Sequence, residues 1–240
     1  MRLALHAEWT KARTVAGTAW LLVAVVALTV GLSALTSSAG GADPAKVGLT
    51  GVVLGQAIVA ILAVSAMSGE YGTGMIAVTL AAVPRRWVAL CAKGCVIAGL
   101  SLAAGVVAVL GAVLAARALL PDGLSLAGPV LRAALGSVLY LGLVALLSLG
   151  VATIVRDAAS AIGVVLGLLY LFPIVAALVS DPDWYRRLQQ IAPMTAGLSV
   201  QATVDVANQP LAPWAGLGVL GAWAAGALLV GGVVLRSRGA

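Results

Sequence analysis

Six long apolar blocks constrain this chain more than any other feature of its sequence. They lie at about 18–36, 48–68, 91–116, 130–154, 159–179 and 214–235. Each block is close to or above the ~20 residues that a helix needs to cross about 30 Å of hydrocarbon. A water-soluble fold cannot bury so many apolar helices, and the blocks lack the apolar–polar alternation of barrel strands. The sequence therefore predicts an all-α integral membrane protein with six transmembrane helices, in one domain over 1–240.

The distribution of charge predicts how the chain crosses the membrane. Only 9% of its residues are charged, and the lysines and arginines lie at the ends of the apolar blocks. With the N-terminus inside, nine of the fourteen basic residues fall on the cytoplasmic side, which is the usual bias. We therefore expect cytoplasmic termini. The net charge of +6 is explained by topology, so no nucleic-acid partner is expected.

The residues before the first block form a helical pattern of their own. Over 1–17, Leu5 and Trp9 share an apolar stripe, Arg13 belongs to a basic shoulder beside it, and Lys11 points away from the stripe. A weakly amphipathic basic helix with Trp at the level of the head groups is typical of a membrane surface. The sequence predicts a cytoplasmic interfacial helix here.

Motifs for catalysis are missing from the sequence. Its three lysines, Lys11, Lys46 and Lys93, are followed by Ala, Val and Gly, so no phosphate-binding loop is present. The single histidine, His6, lies outside the blocks, and no Gly-x-Ser-x-Gly elbow occurs. Cys91 and Cys95 have no His, Asp or Glu nearby that could complete a metal site. We therefore expect both cysteines to be small buried side chains. We predict no catalytic residue, metal site or cofactor in this chain.

The connection between the second and third blocks is longer than a simple linker requires. It has a polar turn at 69–74 and then a short apolar segment that ends before Pro84. Met75, Ile76 and Leu80 are candidates for contact with another protein. The alternative is that 75–83 extends the second span or lies on the membrane, and the residues alone do not decide between the two.

Two further segments carry specific expectations. The sequence Gly-Val-Val-Leu-Gly occurs at 51–55 and again at 163–167, which fits close helix packing, an inverted repeat or coincidence. The long segment 180–212 places Trp184 and Leu188 on one helical face, with Pro193 to end the helix. We expect a short amphipathic helix on the outer leaflet.

Several of these features together resemble a known family. Glu70 ends the second span, Gly72-Thr73 or Thr73-Gly74 follows, then Pro84-Arg85-Arg86, and Lys93 heads the third span. In these motifs, in the opening helix and in the order of its loops, the chain resembles ABC-2 type permeases, the membrane subunits of one class of bacterial ABC transporter. One departure is that the family's Gly-Lys pair reads Ala92-Lys93-Gly94 here.

The resemblance implies a multi-pass protein of the bacterial plasma (inner) membrane that exports a drug-like, peptide or lipid-like molecule. Two permease subunits would pair as a homodimer or heterodimer, and two copies of a separate ATP-binding subunit would bind ATP and Mg. The segment 70–83 would be the coupling helix, with Glu70 anchoring its start. The residues implied at this interface are Glu70, Tyr71, Thr73, Met75, Ile76, Leu80, Pro84, Arg85 and Arg86.

Two other functions remain open at this level. A stand-alone secondary transporter would need polar groups near the membrane midplane, for which Gln56, Ser65, Tyr140 and Ser148 are the interior candidates. A membrane scaffold or immunity factor would need none. Co-purification of an ATP-binding subunit with the chain would favour the ABC permease over both of these alternatives.

The predicted topology can be tested by labelling single cysteines with a membrane-impermeant maleimide in intact cells, in a background without Cys91 and Cys95. Cysteine at Ser38, Asp122 or Asn208 should react, because these positions are expected outside. Cysteine at Thr73 or Ser237 should not react until the cells are opened. The opposite labelling pattern would overturn the orientation.

Overall fold

The computed structural model describes residues 1–82, 85–120, 128–204, 206 and 209–237, with all side chains in these ranges except those of Leu80 and Ala82. All the regular structure in this part of the chain is helical. Six helices are long and apolar enough to cross a membrane. They are α2 (Ala16–Ala39), α4 (Val52–Gly72), α6 (Arg86–Leu119), α7 (Gly128–Val155), the helical run Ala158–Ala177 and α12 (Pro213–Ser237). The predicted multi-pass helical fold is therefore confirmed.

The remaining helices are short and lie between or before the spans. They are α1 (Arg2–Thr14), α3 (Pro44–Gly48), α5 (Met75–Ala82), α10 (Pro182–Ile191) and α11 (Pro193–Leu198). The fifth span is itself divided into α8 (Ala158–Leu166), a π-helical turn at Gly167–Leu171 and α9 (Phe172–Ala177). Pro173 lacks the backbone N–H that a regular α-helix would use there. The π-helical turn just before it lets the helical run continue without that hydrogen bond.

Breaks between helices fall at residues whose backbone leaves the helical region. Val15 is extended and separates α1 from α2. Gly74 has φ +70° and separates α4 from α5, a conformation that glycine adopts without steric cost. Arg156 has φ 66° and reverses the chain between α7 and α8, after which Asp157 caps α8 through the Ser160 amide. These breaks set where each span ends.

Helix α7 lies at the centre of the bundle. It packs against α4, α6, α8 and α12, while α2 packs on α4 and α6 at the periphery. Small residues allow the closest approaches: a Cβ on Gly150 of α7 would overlap the backbone of α12 at Ala227 and Leu228. The core is made of buried Leu, Val, Ala and Met side chains, with Tyr140 the largest side chain that is fully enclosed.

Both ends of the described chain lie at the same end of the bundle, as an even number of spans requires. Glu8 of α1 contacts Lys93 near the start of α6, and Arg86 donates to the carbonyl oxygens of Leu235 and Arg236 at the end of α12. We call this the α1 end, and it also contains α5. The opposite end, which contains α3 and α10, is called the α10 end. Which end faces the cytoplasm remains a prediction.

Asp43 holds the α10 end together. Its carboxylate accepts from the Thr203 amide at 2.7 Å, the Thr203 hydroxyl at 2.6 Å and the Val204 amide at 3.1 Å, and it also caps α3. Burial acts to raise the pKa of Asp43, but these hydrogen bonds to the charged form outweigh it and lower the pKa. The loops before α3 and before α12 are thereby joined.

A re-entrant segment at the α10 end was not predicted. After α10 the chain turns at Ala192 and inserts α11 and the following turn to Gln201 between α7 and α12. Its packing is close: a Cβ on Gly197 would overlap the Tyr140 ring, and one on Gly216 would overlap the Ala196 carbonyl. Met194 accepts a hydrogen bond from the amide of Gln56 at 3.3 Å. The segment is therefore a structural part of the bundle.

Several helices have bounds that differ from the bounds predicted for the spans. The second span was expected at 48–68, but 44–48 is a separate helix capped by Asp43, and the span continues to Gly72. The third span begins at Arg86 instead of 91, because Trp87 already packs against Gly232 of α12. The amphipathic helix predicted in 180–212 is present as α10, capped by Asp181 and ended before Pro193. Cys91 and Cys95 are exposed, not buried.

The two copies of Gly-Val-Val-Leu-Gly differ in their surroundings. A Cβ on Gly51 would overlap the Thr29 carbonyl, and one on Gly55 would overlap the Thr29 hydroxyl, so the first copy packs tightly on α2. Gly163 and Gly167 have no atom within 4 Å of the corresponding positions. Close helix packing therefore explains the first copy only.

This difference predicts the outcome of a matched pair of substitutions. Gly51→Ala should destabilise the protein by about 1–3 kcal/mol, because the added methyl must displace helix α2. Gly163→Ala should be neutral or slightly stabilising, because the site is open and Ala favours helix. Thermal melting of the two variants in detergent measures this. Equal melting temperatures would contradict the packing of α2 on α4.

Candidate functional site

Four charged side chains meet where α1, α4 and α6 converge at the α1 end. They are Glu8 and Lys11 of α1, Glu70 in the last turn of α4 and Lys93 in α6. Glu8 and Glu70 are the two glutamates of the sequence, and two of its three lysines join them. In so apolar a chain, this concentration of charge marks the main candidate for a functional site. We call it the charge ring.

Each lysine in the ring contacts both glutamates. Lys93 Nζ lies 2.6 Å from Glu8 Oε2 and 2.9 Å from Glu70 Oε1. Lys11 Nζ lies 2.9 Å from Glu8 Oε1 and 2.7 Å from Glu70 Oε1. The two positive and two negative charges balance, so the ring as a whole is neutral.

Two further hydrogen bonds complete the donor capacity of the lysines. Lys93 donates to the Ala66 carbonyl of α4 at 3.3 Å, and Lys11 donates to the Thr79 hydroxyl of α5 at 3.1 Å. Each ammonium group has three protons, so both lysines are fully used. Through Thr79, the short helix α5 is tied to the same ring as α1, α4 and α6.

The ring is sealed from solvent at three of its four members. The side chains of Glu8, Glu70 and Lys93 are 7–8% exposed, whereas that of Lys11 is 30% exposed. Burial acts to lower the pKa of Lys11, but its hydrogen bonds to Glu70 and Glu8 outweigh burial and raise the pKa. The ion pairs with Glu8 and Glu70 therefore favour the charged form of Lys11. The arrangement is suited to joining helices.

Sequence reasoning placed three of the ring residues differently. Glu70 was expected to anchor the start of α5, yet the hydrogen bonds of its carboxylate go to Lys11 and Lys93. Lys11 does point away from Leu5 and Trp9, but that side of α1 faces the bundle. Glu8 was not singled out. Its rarity and its position three residues before Lys11 are the signals that could have identified it.

The residues predicted for α5 and its flanks are not equally available. Met75 is 44% exposed and Val78 is 71% exposed, but Ile76 is 8% exposed and belongs to the core. Ile76 is thus buried in the chain by itself, and its contact with a partner stays a prediction. The side chain of Leu80 and all of Pro84 lie outside the described residues. The exposed apolar face of α5 is carried by Met75 and Val78.

The remaining predicted residues differ in what they contact. Thr73 Oγ1 donates to the Gly69 carbonyl at 2.7 Å at the end of α4. The Arg156 guanidinium lies over the Tyr71 ring, with its Cζ atom 5.3 Å from the centre of that ring. Arg86 bonds the end of α12, while Arg85 is exposed at the start of α6. Arg13 is exposed on α1.

A cleft of about 570 Å³ adjoins the charge ring. It is bounded by α1, α2, α4 and α6, and Glu8, Lys11, Glu70 and Lys93 all line it at one side. The rest of its wall is mainly apolar. A smaller pocket of about 180 Å³ lies between α1 and α5 and includes Met75, Val78 and Thr79.

The interior polar candidates Gln56, Tyr140 and Ser148 all make hydrogen bonds within the bundle. Tyr140 donates to Gln56, Gln56 donates to Met194, and Ser148 bonds the Val144 carbonyl within its own helix. Ser65 is exposed and lines the cleft. Within the described ranges, no cluster of three His, Cys, Asp or Glu could hold a metal ion. Neither a scan of protein-family models nor a search of curated proteins finds a match for this chain.

The charge ring should be sensitive to loss of one member. Lys93→Met leaves three charges in a sealed site and should cost about 3–5 kcal/mol. Lys46→Met, at an exposed position of the α10 end, serves as the matched control and should be close to neutral. Thermal melting in detergent is the measurement. A Lys93→Met variant as stable as the control would show that the ring does not join the helices.

Proposed function

We propose that this chain is the permease subunit of an ABC transporter, driven by a separate ATP-binding subunit that docks at the α1 end. In this proposal the α1 end is cytoplasmic and the protein lies in a bacterial plasma membrane. The observation that carries the proposal is the bond from Lys11 to Thr79. It connects a short helix outside the long spans to the same buried ring that holds two of those spans.

The connection supplies a mechanical path from α5 into the bundle. A partner that moves α5 would move Thr79, and Thr79 bonds Lys11 at 3.1 Å. Lys11 in turn contacts Glu70 of α4, and Glu70 contacts Lys93 of α6. A partner can shift the bundle only by binding its conformations with different affinity, and these contacts are where such a difference would be transmitted.

The exposed surface at the α1 end is suited to a protein partner. Met75 and Val78 are apolar and exposed, although they stand outside the six long spans. Leu3 of α1 is also 88% exposed. Exposed apolar groups of this kind are characteristic of contact sites. Arg85, which is exposed just before α6, would supply a polar contact.

The proposal assigns ATP binding and transport to different subunits. The chain has no phosphate-binding loop, so ATP and Mg would be bound by two copies of the partner, and this chain would not be an enzyme. Two permease subunits would form the transport path, with export of a drug-like, peptide or lipid-like substrate. The secondary-transporter alternative would need polar groups that a substrate can reach. Gln56 and Tyr140 give it little support, because both are fully buried and bonded to each other.

The double variant Met75→Asp and Val78→Asp tests the docking of α5. Both side chains are exposed, so the fold should persist, and acids are favourable in the first turn of a helix. We expect loss of the co-purifying ATP-binding subunit and of substrate-stimulated ATP hydrolysis. Leu119→Asp, at an exposed position of the opposite end, is the control and should retain both.

Two outcomes would count against the proposal at different levels. If the double variant still binds the ATP-binding subunit and still transports, α5 is not the docking element. If the unmodified chain transports with no ATP-binding subunit present, the transporter-subunit function itself is wrong.

A further inference from the structure

We propose that a polar pocket at the α10 end binds a small hydroxylated molecule that carries one carboxylate. The pocket has a volume of about 230 Å³ and lies between α3, the end of α10, α11 and the segment before α12. Its polar lining consists of Lys46, Gln189, Thr195, Ser199 and Gln209. We call it the Lys46 pocket. The inference concerns this chain by itself and does not depend on an ATP-binding partner.

Hydrogen bonds fix the walls of the Lys46 pocket relative to one another. Asp43 caps α3 and also accepts from the Thr203 hydroxyl, which joins α3 to the end of the re-entrant segment. Gln190 donates to the Pro210 carbonyl at 2.9 Å, which joins α10 to the segment before α12. The pocket is therefore formed by the fold itself, as small-molecule sites usually are.

The groups best able to bind a ligand are unused inside this frame. The ammonium group of Lys46 makes no hydrogen bond or ion pair with any part of the chain that the structure describes. The side-chain amides of Gln189 and Gln209 are likewise without hydrogen bonds among the described residues. No acidic side chain of the described ranges lines the pocket. Unlike the lysines of the charge ring, Lys46 keeps its donors available.

Two hydroxyl groups add acceptors to the same pocket. The Thr195 hydroxyl donates to the Gln189 carbonyl at 2.9 Å, and the Ser199 hydroxyl donates to the Ala196 carbonyl at 2.7 Å. Each proton is thereby used, while the lone pairs of both oxygens can still accept. The pocket thus combines one cation and two amides with hydroxyl acceptors.

This combination selects the chemistry of the ligand. A carboxylate accepts from an ammonium group and from amide N–H groups, and hydrogen bonds between charged groups are the stronger ones. The single unpaired lysine balances one negative charge, which favours a monocarboxylate over a doubly charged phosphate. Hydroxyl groups of the ligand would donate to Thr195 and Ser199. The volume is below the range of about 300–1,000 Å³ for drug-sized ligands, so the ligand is small.

A saturation-transfer NMR titration of the purified chain in detergent tests the site, with D-gluconate and sorbitol as probes. Sorbitol carries a hydroxymethyl group where gluconate carries its carboxylate, so the pair isolates the effect of the charge. The unmodified chain should bind gluconate and not sorbitol. Lys46→Met should weaken gluconate binding at least about tenfold, equivalent to about 1.4 kcal/mol. Gln189→Leu should weaken it about fivefold, because one hydrogen-bonding group is lost.

Arg186→Gln is the matched control. Arg186 is exposed at the same end of the bundle and does not line the pocket, so its loss should leave gluconate binding unchanged. If Arg186→Gln weakens binding as much as Lys46→Met, surface charge alone attracts the probe and the site is excluded. Full binding by Lys46→Met, or equal binding of sorbitol and gluconate by the unmodified chain, would also overturn the proposal.

A second measurement uses the unmodified protein and so does not depend on the folding of a variant. Lys46 is exposed, and an amine-reactive ester should acylate it. Gluconate should slow this acylation at Lys46, as followed by mass spectrometry of peptides, while sorbitol should not. Acylation of Lys46 at the same rate with and without gluconate would exclude the Lys46 pocket as its binding site.

Discussion

The neutralisation of four charges in an apolar protein is the interaction on which the α1 end depends. Removing a charged group from water is costly, and an unpaired one at this depth would favour a different packing. Glu8, Lys11, Glu70 and Lys93 pair with one another when α1, α4 and α6 take this arrangement, with Glu70 bonded through Oε1. The ring therefore specifies which helices are neighbours, a choice that non-directional contacts among Leu, Val and Ala specify poorly.

Other contacts determine the packing away from the charge ring. Small residues allow α7 to approach α12, and Asp43 fastens the loops at the opposite end. The α10 end is held by hydrogen bonds, including those of the Asp43 carboxylate and of the Arg132 guanidinium to the Ala202 carbonyl, whereas the α1 end is held by ion pairs. A motion that keeps α7 in place while the ends rearrange would have to break different kinds of contact at the two ends.

The sequence predicted the spans because long apolar blocks have few alternatives, and it predicted α10 because Pro193 and the spacing of Trp184 and Leu188 are local signals. It did not predict the ring, since Glu8, Glu70 and Lys93 lie far apart in the chain and only their packing brings them together. It did not predict the burial of Ile76, because a short apolar helix gives no local sign of which side is buried. The re-entrant segment after Ala192 also depends on tertiary contacts, chiefly with α12 and also with Tyr140 and Gln56.

The placement of ring members along the chain has a consequence for biogenesis. Spans enter the membrane in order during synthesis, so Glu8, Lys11 and Glu70 are in place before Lys93 has been made. Until then the partial ring carries one excess negative charge and has no contact with α6. Helix α1 can make its contact with Lys93 only after the third span has been synthesised, which makes completion of the ring a late step of assembly.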